Sequence, residues 1–326
     1  MGIIVVACPA TGAITHSAYL YSTLLYYMKY FITITVLTSL LFSACKSSKM
    51  NSGKHEMSFD KEGHRGCRGL IPENTIPAMI KAIDLGVNTL EMDIVFTSDN
   101  IALVSHEPFF NHEITTKPDG KFIDESNEMT FNIYKMSFAE TQRYDVGMKP
   151  HPRFPQQQKM NVTKPSLSAL IDSVEAYTLK NKLSKIYYNI ETKTLPATDN
   201  VFHPAPAPFV DMLMKVILDK KISNRVIIQS FDLRTLQYLH KKYPKIKTSL
   251  LVDSGNRSSF RKQLTDLGFE PNIYSPEQVL VTPNLITACH EKNIKIIPWT
   301  VDEKSKIEEL RVMGVDGIIT DYPNLF

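Results

Sequence analysis

Between positions 64 and 107 lie four short groups of residues whose side chains suit a single reaction: His64-Arg65-Gly66, Pro72-Glu73-Asn74-Thr75, Glu91-Met92-Asp93 and Ser105-His106-Glu107. Side chains two apart on a strand point to one face, so Glu91 and Asp93 project together if the apolar run around them is a strand. Two carboxylates side by side repel each other, which raises one pKa or calls for a cation between them. Arg65 brings a fork-shaped donor suited to phosphate, and His64 and His106 can carry protons near neutral pH. This inventory fits metal-assisted cleavage of a phosphodiester.

The elements that must position these groups follow from hydrophobic pattern and turn residues. A strand over 59–64 runs into Gly66, and Asn74 or Thr75 caps a helix that stops at Gly86. A strand over 89–97, a tight Ser98-Asp99-Asn100 turn and a strand-like run over 101–105 read as an antiparallel hairpin whose return arm delivers His106 to the carboxylates. Residues 107–165 break the rhythm with prolines and polar residues, and they read as an inserted subdomain or lid in which substrate choice resides. Helices are then expected over 166–181, 209–220, 233–243, 259–267, 283–292 and 303–313. They alternate with strands over 185–191, 225–230, 247–252, 272–274, 295–301 and 317–320. Without the return arm this makes eight strands that can run parallel, and the pattern points to a closed (β/α)8 TIM barrel. An open doubly wound sheet is the runner-up, but it usually announces a Gly-rich phosphate loop, and the chain shows none.

The order His-Arg-Gly, Pro-Glu-Asn-Thr, Glu-x-Asp and His-Asp/Glu resembles the glycerophosphodiester phosphodiesterase family. Downstream, Asn189-Ile190-Glu191-Thr192-Lys193, Gln229-Ser230-Phe231, Trp299-Thr300-Val301 and Thr320-Asp321-Tyr322-Pro323 extend the similarity to the C-terminus. The resemblance implies a barrel of the phospholipase-C-like phosphodiesterase type. It also implies metal-dependent hydrolysis of a glycerophosphodiester to sn-glycerol 3-phosphate and an alcohol. The chain departs from the family pattern after its second histidine, where Glu107 stands in place of Asp. If that acid orients the imidazole, its longer arm changes the geometry.

In a barrel, chemistry gathers at the C-terminal strand ends, and His64, Glu91, Glu191, Gln229 and Trp299 all fall near such ends. Glu91, Asp93 and Glu191 are the expected ligands of one divalent cation, and three hard oxygen donors suit Mg²⁺ or Ca²⁺ better than zinc. The catalytic acid/base pair is assigned to His64 and His106, because an alkoxide leaving group needs a proton. Arg65 and Lys193 are assigned to the phosphate from the rim. Trp299, the only tryptophan, lies where the family places an aromatic against the alcohol moiety; the alternative is a core tryptophan. Gln229 either lines the floor or packs, Glu73 buttresses the first loop, and Asn74 is given no chemical role. His55, His112, His203, His240 and His290 read as structural.

The bulk composition sets the remaining limits. A chain of 326 residues with 43% hydrophobic and 22% charged residues accommodates one large domain and is neither disordered nor polytopic. Its net charge of +3, without a long single-sign block, makes no case for nucleic acid as a partner. Met28-Lys29, an apolar run over 30–41 and Ser43-Ala44-Cys45 resemble a bacterial lipoprotein signal, with a lipid on Cys45 as the membrane partner; an uncleaved anchor is the alternative. Residues 1–45 are then leader and signal, 1–27 an over-extended start, 46–57 a tether and 58–326 the barrel. The expected location is the cell envelope, on its periplasmic side. Cys67 and Cys289 remain in the mature chain, where unpaired thiols are preferred over a disulfide. Two competing functions stay open: lysophospholipid cleavage, with an apolar groove supplied by Phe109, Phe110, Phe131, Tyr134, Phe138 and Phe154, and a non-catalytic phosphodiester-binding lipoprotein.

Overall fold

The structure is a computed structural model that describes residues 59–326 together with Gly2. The leader, the tether and Cys45 lie outside the described residues. Among those described, no helix is long and apolar enough to cross a membrane.

Strand β1 (Asp60–Gly63) leads through a loop to helix α1 (Ile76–Asp84), and β2 (Thr89–Phe96) turns back as β3 (Ala102–Val104). After the one-turn helix α2 (Phe138–Thr141) come α3 (Leu167–Lys180), β4 (Tyr187–Thr192), α4 (Pro206–Asp219), β5 (Val226–Ser230) and α5 (Leu233–Lys242). The chain ends with β6 (Lys247–Val252), α6 (Phe260–Leu267), β7 (Ile273–Pro276), α7 (Pro283–Glu291), β8 (Lys295–Ile296), α8 (Lys304–Met313) and β9 (Gly317–Thr320). The parallel strands pair in the order β8-β7-β6-β5-β4-β2-β1-β9, while β3 pairs antiparallel to β2.

This is the expected eight-stranded barrel, with one element shorter than its apolar run suggests. Strand β8 stops at Ile296 because Pro298 has no N–H to give to a ladder. The seam between β8 and β9 is carried instead by three backbone bonds, Asp316 N–H to Ile296 O at 2.9 Å, Ile319 N–H to Pro298 O at 3.0 Å and Val301 N–H to Ile319 O at 3.0 Å.

Period-2 alternation sorts the strand side chains between two environments. Leu90, Met92, Ile94 and Phe96 of β2, Tyr188 and Ile190 of β4, and Val226 and Ile228 of β5 pack into the main core beneath the helices. Residues of opposite parity (Glu91 and Asp93, Asn189 and Glu191, Gln229) are left to the barrel interior. Ile227, Ile273, Ile297 and Ile319 form a small apolar cluster there, with Trp299 against it.

The insertion has a core of its own. Phe110, Ile114, Ile123, Ile133 and Val146 pack over Val95 and Leu103, with Phe131, Phe138 and Tyr144 against them. Phe110 stacks on Tyr144 with ring centroids 4.2 Å apart. Three of the six aromatics expected to offer an apolar groove, Phe110, Phe131 and Phe138, are thus taken up in this core, and Tyr134 joins the barrel's main cluster. The two ends of the insertion meet: Val104 N–H donates to Pro165 O at 2.9 Å, and Leu103 is bridged to Ser166. Cys67 and Cys289 are free, as expected; both are buried, and burial pushes both thiols up to about 12.

Candidate active site

Strand register sets the carboxylates side by side. In the β2–β4 ladder Glu91 is opposite Asn189 and Asp93 opposite Glu191, and in the β4–β5 ladder Glu191 is opposite Gln229. One oxygen each from Glu91, Asp93 and Glu191 falls within 4.8 Å of the others, and all three residues are buried. Asp93 Oδ1 is buried without a hydrogen bond, and Lys193 Nζ stands 3.7 Å from it. Burial, reinforced by the Asp93 charge, raises the Glu91 carboxyl well above the usual range. Burial also raises Glu191. At Asp93 burial is overcome by the charges of His106, Lys193 and Arg65 and by the Asn74 hydrogen bond, which hold it far below its ordinary value. Three crowded hard-oxygen donors, one with a free lone pair, fit a divalent cation of the Mg²⁺ or Ca²⁺ kind.

The first loop grips this cluster from one side. Gly66 has φ +88°, and a Cβ there would lie 2.7 Å from the Ala78 carbonyl carbon, so only glycine lets the loop pass α1. Arg65 and Asn74 also adopt left-handed backbone, at φ 49° and 55°. The turn at Arg65 aims its N–H at Glu91 Oε2, 2.8 Å away. Arg65 is buried rather than on the rim: Nη1 donates to Glu73 Oε1 at 2.7 Å, and Nε lies 3.5 Å from Asp93 Oδ2. Thr75, not Asn74, caps α1, accepting from Ala78 N–H. Asn74 Nδ2 instead donates to Asp93 Oδ2 at 2.9 Å, and Gln229 Nε2 donates to Glu91 Oε1 at 2.8 Å. Gln229 in turn accepts from Asn189, which also donates to the buried Glu62.

Each histidine is backed by an acid. His64 Nδ1 pairs with Asp321 Oδ1 at 2.5 Å, and its Nε2 lies 3.9 Å from Glu91 Oε2. Burial pulls the His64 imidazole down to about 4, against the attraction of Asp321. Arg68 Nε stands 3.2 Å from Asp321 Oδ1. His106 Nδ1 pairs with Glu107 Oε1 at 2.5 Å, and Asn111 Nδ2 fixes the other Glu107 oxygen at 2.7 Å, so the longer arm still reaches the ring. The β3 arm that carries His106 is tied to β2 by Ser105 N–H donating to Asp93 O at 2.9 Å.

A cavity of about 330 Å³ brings together His64, Arg65, Glu91, His106, Glu191 and Trp299. Trp299 donates from Nε1 to Ser275 O at 2.8 Å, packs on the interior isoleucines and still faces the cavity, so both readings of it describe part of its environment. Lys193 differs from expectation: its ammonium donates to Glu191 Oε1 at 2.7 Å, and it lines an adjoining groove rather than this cavity. Arg68 and Arg153 also line the cavity, the latter contributed by the insertion. Pattern reading missed the partnering roles of Asn74 and Asp321; both stood inside quoted motifs, but a partner brought in by closure of the fold has no fixed sequence offset.

The sequence profile of the glycerophosphoryl diester phosphodiesterase family matches residues 64–325. A glycerophosphodiester phosphodiesterase of Caldanaerobacter subterraneus is 30% identical over 80% of this chain and 93% of its own. A solved structure from Silicibacter pomeroyi, described as a candidate glycerophosphoryl diester phosphodiesterase, superposes with TM-score 0.72 at 27% identity, over 82% of this chain and 91% of its own. A phosphodiesterase from Oleispira antarctica, solved with its product sn-glycerol-3-phosphate, shares the fold at TM-score 0.63 and 20% identity, over 82% and 94%.

Proposed function

The chain belongs to the glycerophosphoryl diester phosphodiesterase family and is an enzyme of that class, and we propose that it releases sn-glycerol 3-phosphate and an alcohol with the help of one divalent cation and two histidines. Glu91, Asp93 and Glu191 would hold the cation. When bound, Mg²⁺ or Ca²⁺ supplies positive charge to the phosphoryl oxygens.

The chain's own groups do the rest. Arg65 and Arg68 bring fixed positive charge to the cavity, where a phosphodiester monoanion is favoured over a neutral ligand. Asp321 accepts from His64 Nδ1–H and thereby frees Nε2 toward the cavity, and Glu107 does the same for His106. One imidazole takes the proton of the nucleophile as its oxygen bonds to phosphorus, and the other delivers a proton to the departing alkoxide. Trp299 gives the alcohol moiety an apolar wall.

The observation that carries this reading is the convergence on one cavity of two acid-backed histidines beside a three-carboxylate cluster. Turnover of glycerophosphoethanolamine by the full chain, assayed with and without EDTA, tests it. Activity should disappear with EDTA and return with added Mg²⁺ or Ca²⁺; undiminished turnover in metal-free protein removes the cation from the scheme.

We further propose that a lipid on Cys45 holds the enzyme at the bacterial envelope, on its periplasmic side. The support is the sequence Met28-Lys29, the apolar run after it and the small residues ahead of Cys45.

A further inference from the structure

We propose that one sector of the barrel floor is a docking surface for an anionic phospholipid bilayer, so that the enzyme sits floor-down on its membrane; this goes beyond the lipid anchor and rests on the same envelope placement. The floor is the end of the barrel where the parallel strands begin, opposite the carboxylate cluster. Strands β4, β5 and β6 are neighbours there, and the turns that lead into them from α3, α4 and α5 form one continuous surface. Lys220, just after α4, reaches Asp172 of α3 at 2.5 Å, and Lys242 of α5 reaches Asp211 of α4 at 2.7 Å. The Lys247 ammonium lies over the Tyr187 ring, 5.6 Å from its centroid.

This surface carries uncompensated positive charge. Lys180, Lys182, Lys185, Lys221, Lys241 and Lys245 are exposed on it and make no ion pair among the described residues. The acids around them are already engaged: Asp172, Asp211 and Asp219 pair with Lys220, Lys242 and Lys215, Glu175 pairs with Arg225, and Asp84 accepts from the Tyr177 hydroxyl. A lysine in the last turn of a helix complements the helix dipole, which accounts for Lys180 and Lys241. The other four lie beyond the helix ends and have no such role.

The same sector exposes apolar side chains. Leu179, Leu183 and Leu218 are 81%, 44% and 50% exposed among those lysines. Lysines interleaved with exposed leucines fit the headgroup layer of a bilayer, which receives both phosphate-seeking cations and shallow apolar side chains. A nucleic-acid backbone would match the lysines and leave the leucines in water.

The chain also enters the barrel beside this sector. Asn88 Nδ2 donates to Phe59 O at 3.0 Å, and Asn88 O accepts from the Tyr187 N–H at 3.0 Å. A lipid on Cys45 would therefore hold the floor near the bilayer, where a surface too weak to bind alone becomes effective through high local concentration. The reaction cavity, at the other end of the barrel, then opens away from the bilayer toward diffusing glycerophosphodiesters.

The test is backbone hydrogen exchange of the full chain incorporated in vesicles of phosphatidylcholine alone, or of phosphatidylcholine and phosphatidylglycerol in equal parts. Exchange over 179–187, 218–222 and 241–247 should slow in the phosphatidylglycerol vesicles only, and molar salt should reverse it. Exchange in the insertion should be the same in both. Each lysine at the surface is worth roughly fivefold in attraction to an anionic bilayer, so Lys182→Gln, Lys221→Gln and Lys245→Gln combined should weaken docking on the order of 100-fold and erase the slowing. Turnover of glycerophosphoethanolamine and the Tm should stay at wild-type values, since all three side chains are exposed and outside the cavity. Equal exchange in the two vesicles, slowing that survives the triple substitution, or slowing of the insertion in place of the floor overturns the docking surface. Slowing in both vesicles that scales with protein density would assign the floor to a second copy of the chain and overturn it equally. Slowing by duplex DNA with none by phosphatidylglycerol would do the same. The mass of the mature N-terminus reports separately on the lipid at Cys45, so failure of the anchor is distinguishable from failure of the floor.

Discussion

Asn74 holds Asp93 at two points, donating from Nδ2 to Oδ2 at 2.9 Å and accepting the Asp93 N–H at Oδ1 from 3.4 Å. The left-handed φ of 55° at Asn74 points its short amide across the loop. Asn74→Gly keeps that backbone conformation and removes only the amide. A lost partner of a metal ligand typically costs ~10–100-fold in metal affinity, and that loss is expected with little change in Tm. Titration calorimetry with Mg²⁺ and Ca²⁺ checks it, and unchanged affinity would show that Asp93 positions itself.

Glu91→Gln and Asp93→Asn keep nearly the same volume and remove a charge that a hard cation needs. Large activity loss, partly recovered by excess metal, is expected from each. The folded structure should persist, because both carboxylates sit crowded and buried and lose a repulsive neighbour. Unaltered metal affinity in either variant would falsify the paired-ligand assignment.

The histidines should separate by leaving group. General acid-base assistance is worth ~10²–10⁴-fold, and His64→Ala and His106→Ala should each cost about that much. A nitrophenyl leaving group needs little protonation, so it should restore the variant lacking the acid and leave the variant lacking the base impaired. His106 is expected to be the acid. Equal rescue of both, or of neither, contradicts a division of labour.

Asp302 connects stability to pH. Burial, then the Asp321 charge, raises its carboxyl from 3.8 to about 6. A raised folded-state pKa means that the native chain binds this proton more tightly than the unfolded chain. The contribution is therefore complete below about 3.8 and is lost as pH rises to about 6. Oδ1 accepts from the Asp321 N–H at 2.8 Å and from Thr320 Oγ1 at 3.1 Å, and an amide oxygen can do both. Asp302→Asn should therefore gain Tm over wild type as pH rises through that window. A Tm difference independent of pH contradicts the assignment.

Cys45→Ser should abolish lipid attachment and leave the precursor at the membrane with its signal intact. Mass spectrometry of the mature N-terminus decides this, and an unmodified Cys45 in the wild type sinks the lipoprotein proposal.

Strand periodicity made much of this molecule legible in its sequence. Glu91 and Asp93 share a parity that can face only one way, and the short turn at Asp99 forces His106 back beside them. Proline was harder to read, since the apolar run after Lys295 hid the break that Pro298 makes in β8. Side-chain partnerships were hardest. Asp321 reaches His64 across the β9–β1 ladder, and Gln229 reaches Glu91 across the mouth of the barrel, contacts set by three-dimensional closure rather than by spacing. Charge and strand-end position point Arg65 and Lys193 to the rim, and neither can tell a rim cation from one paired to buried carboxylates.

Because the insertion leaves after β3 and returns beside it, where Val104 meets Pro165, the barrel does not register how long the excursion is. The entropy of closing such a loop grows only logarithmically with its length. The residues proposed for the chemistry lie on strands or directly after them, whereas Phe109, Met129 and Arg153 belong to the excursion. Selection can therefore lengthen, shorten or exchange this cassette and retune what the enzyme accepts, while the reacting atoms stay in place.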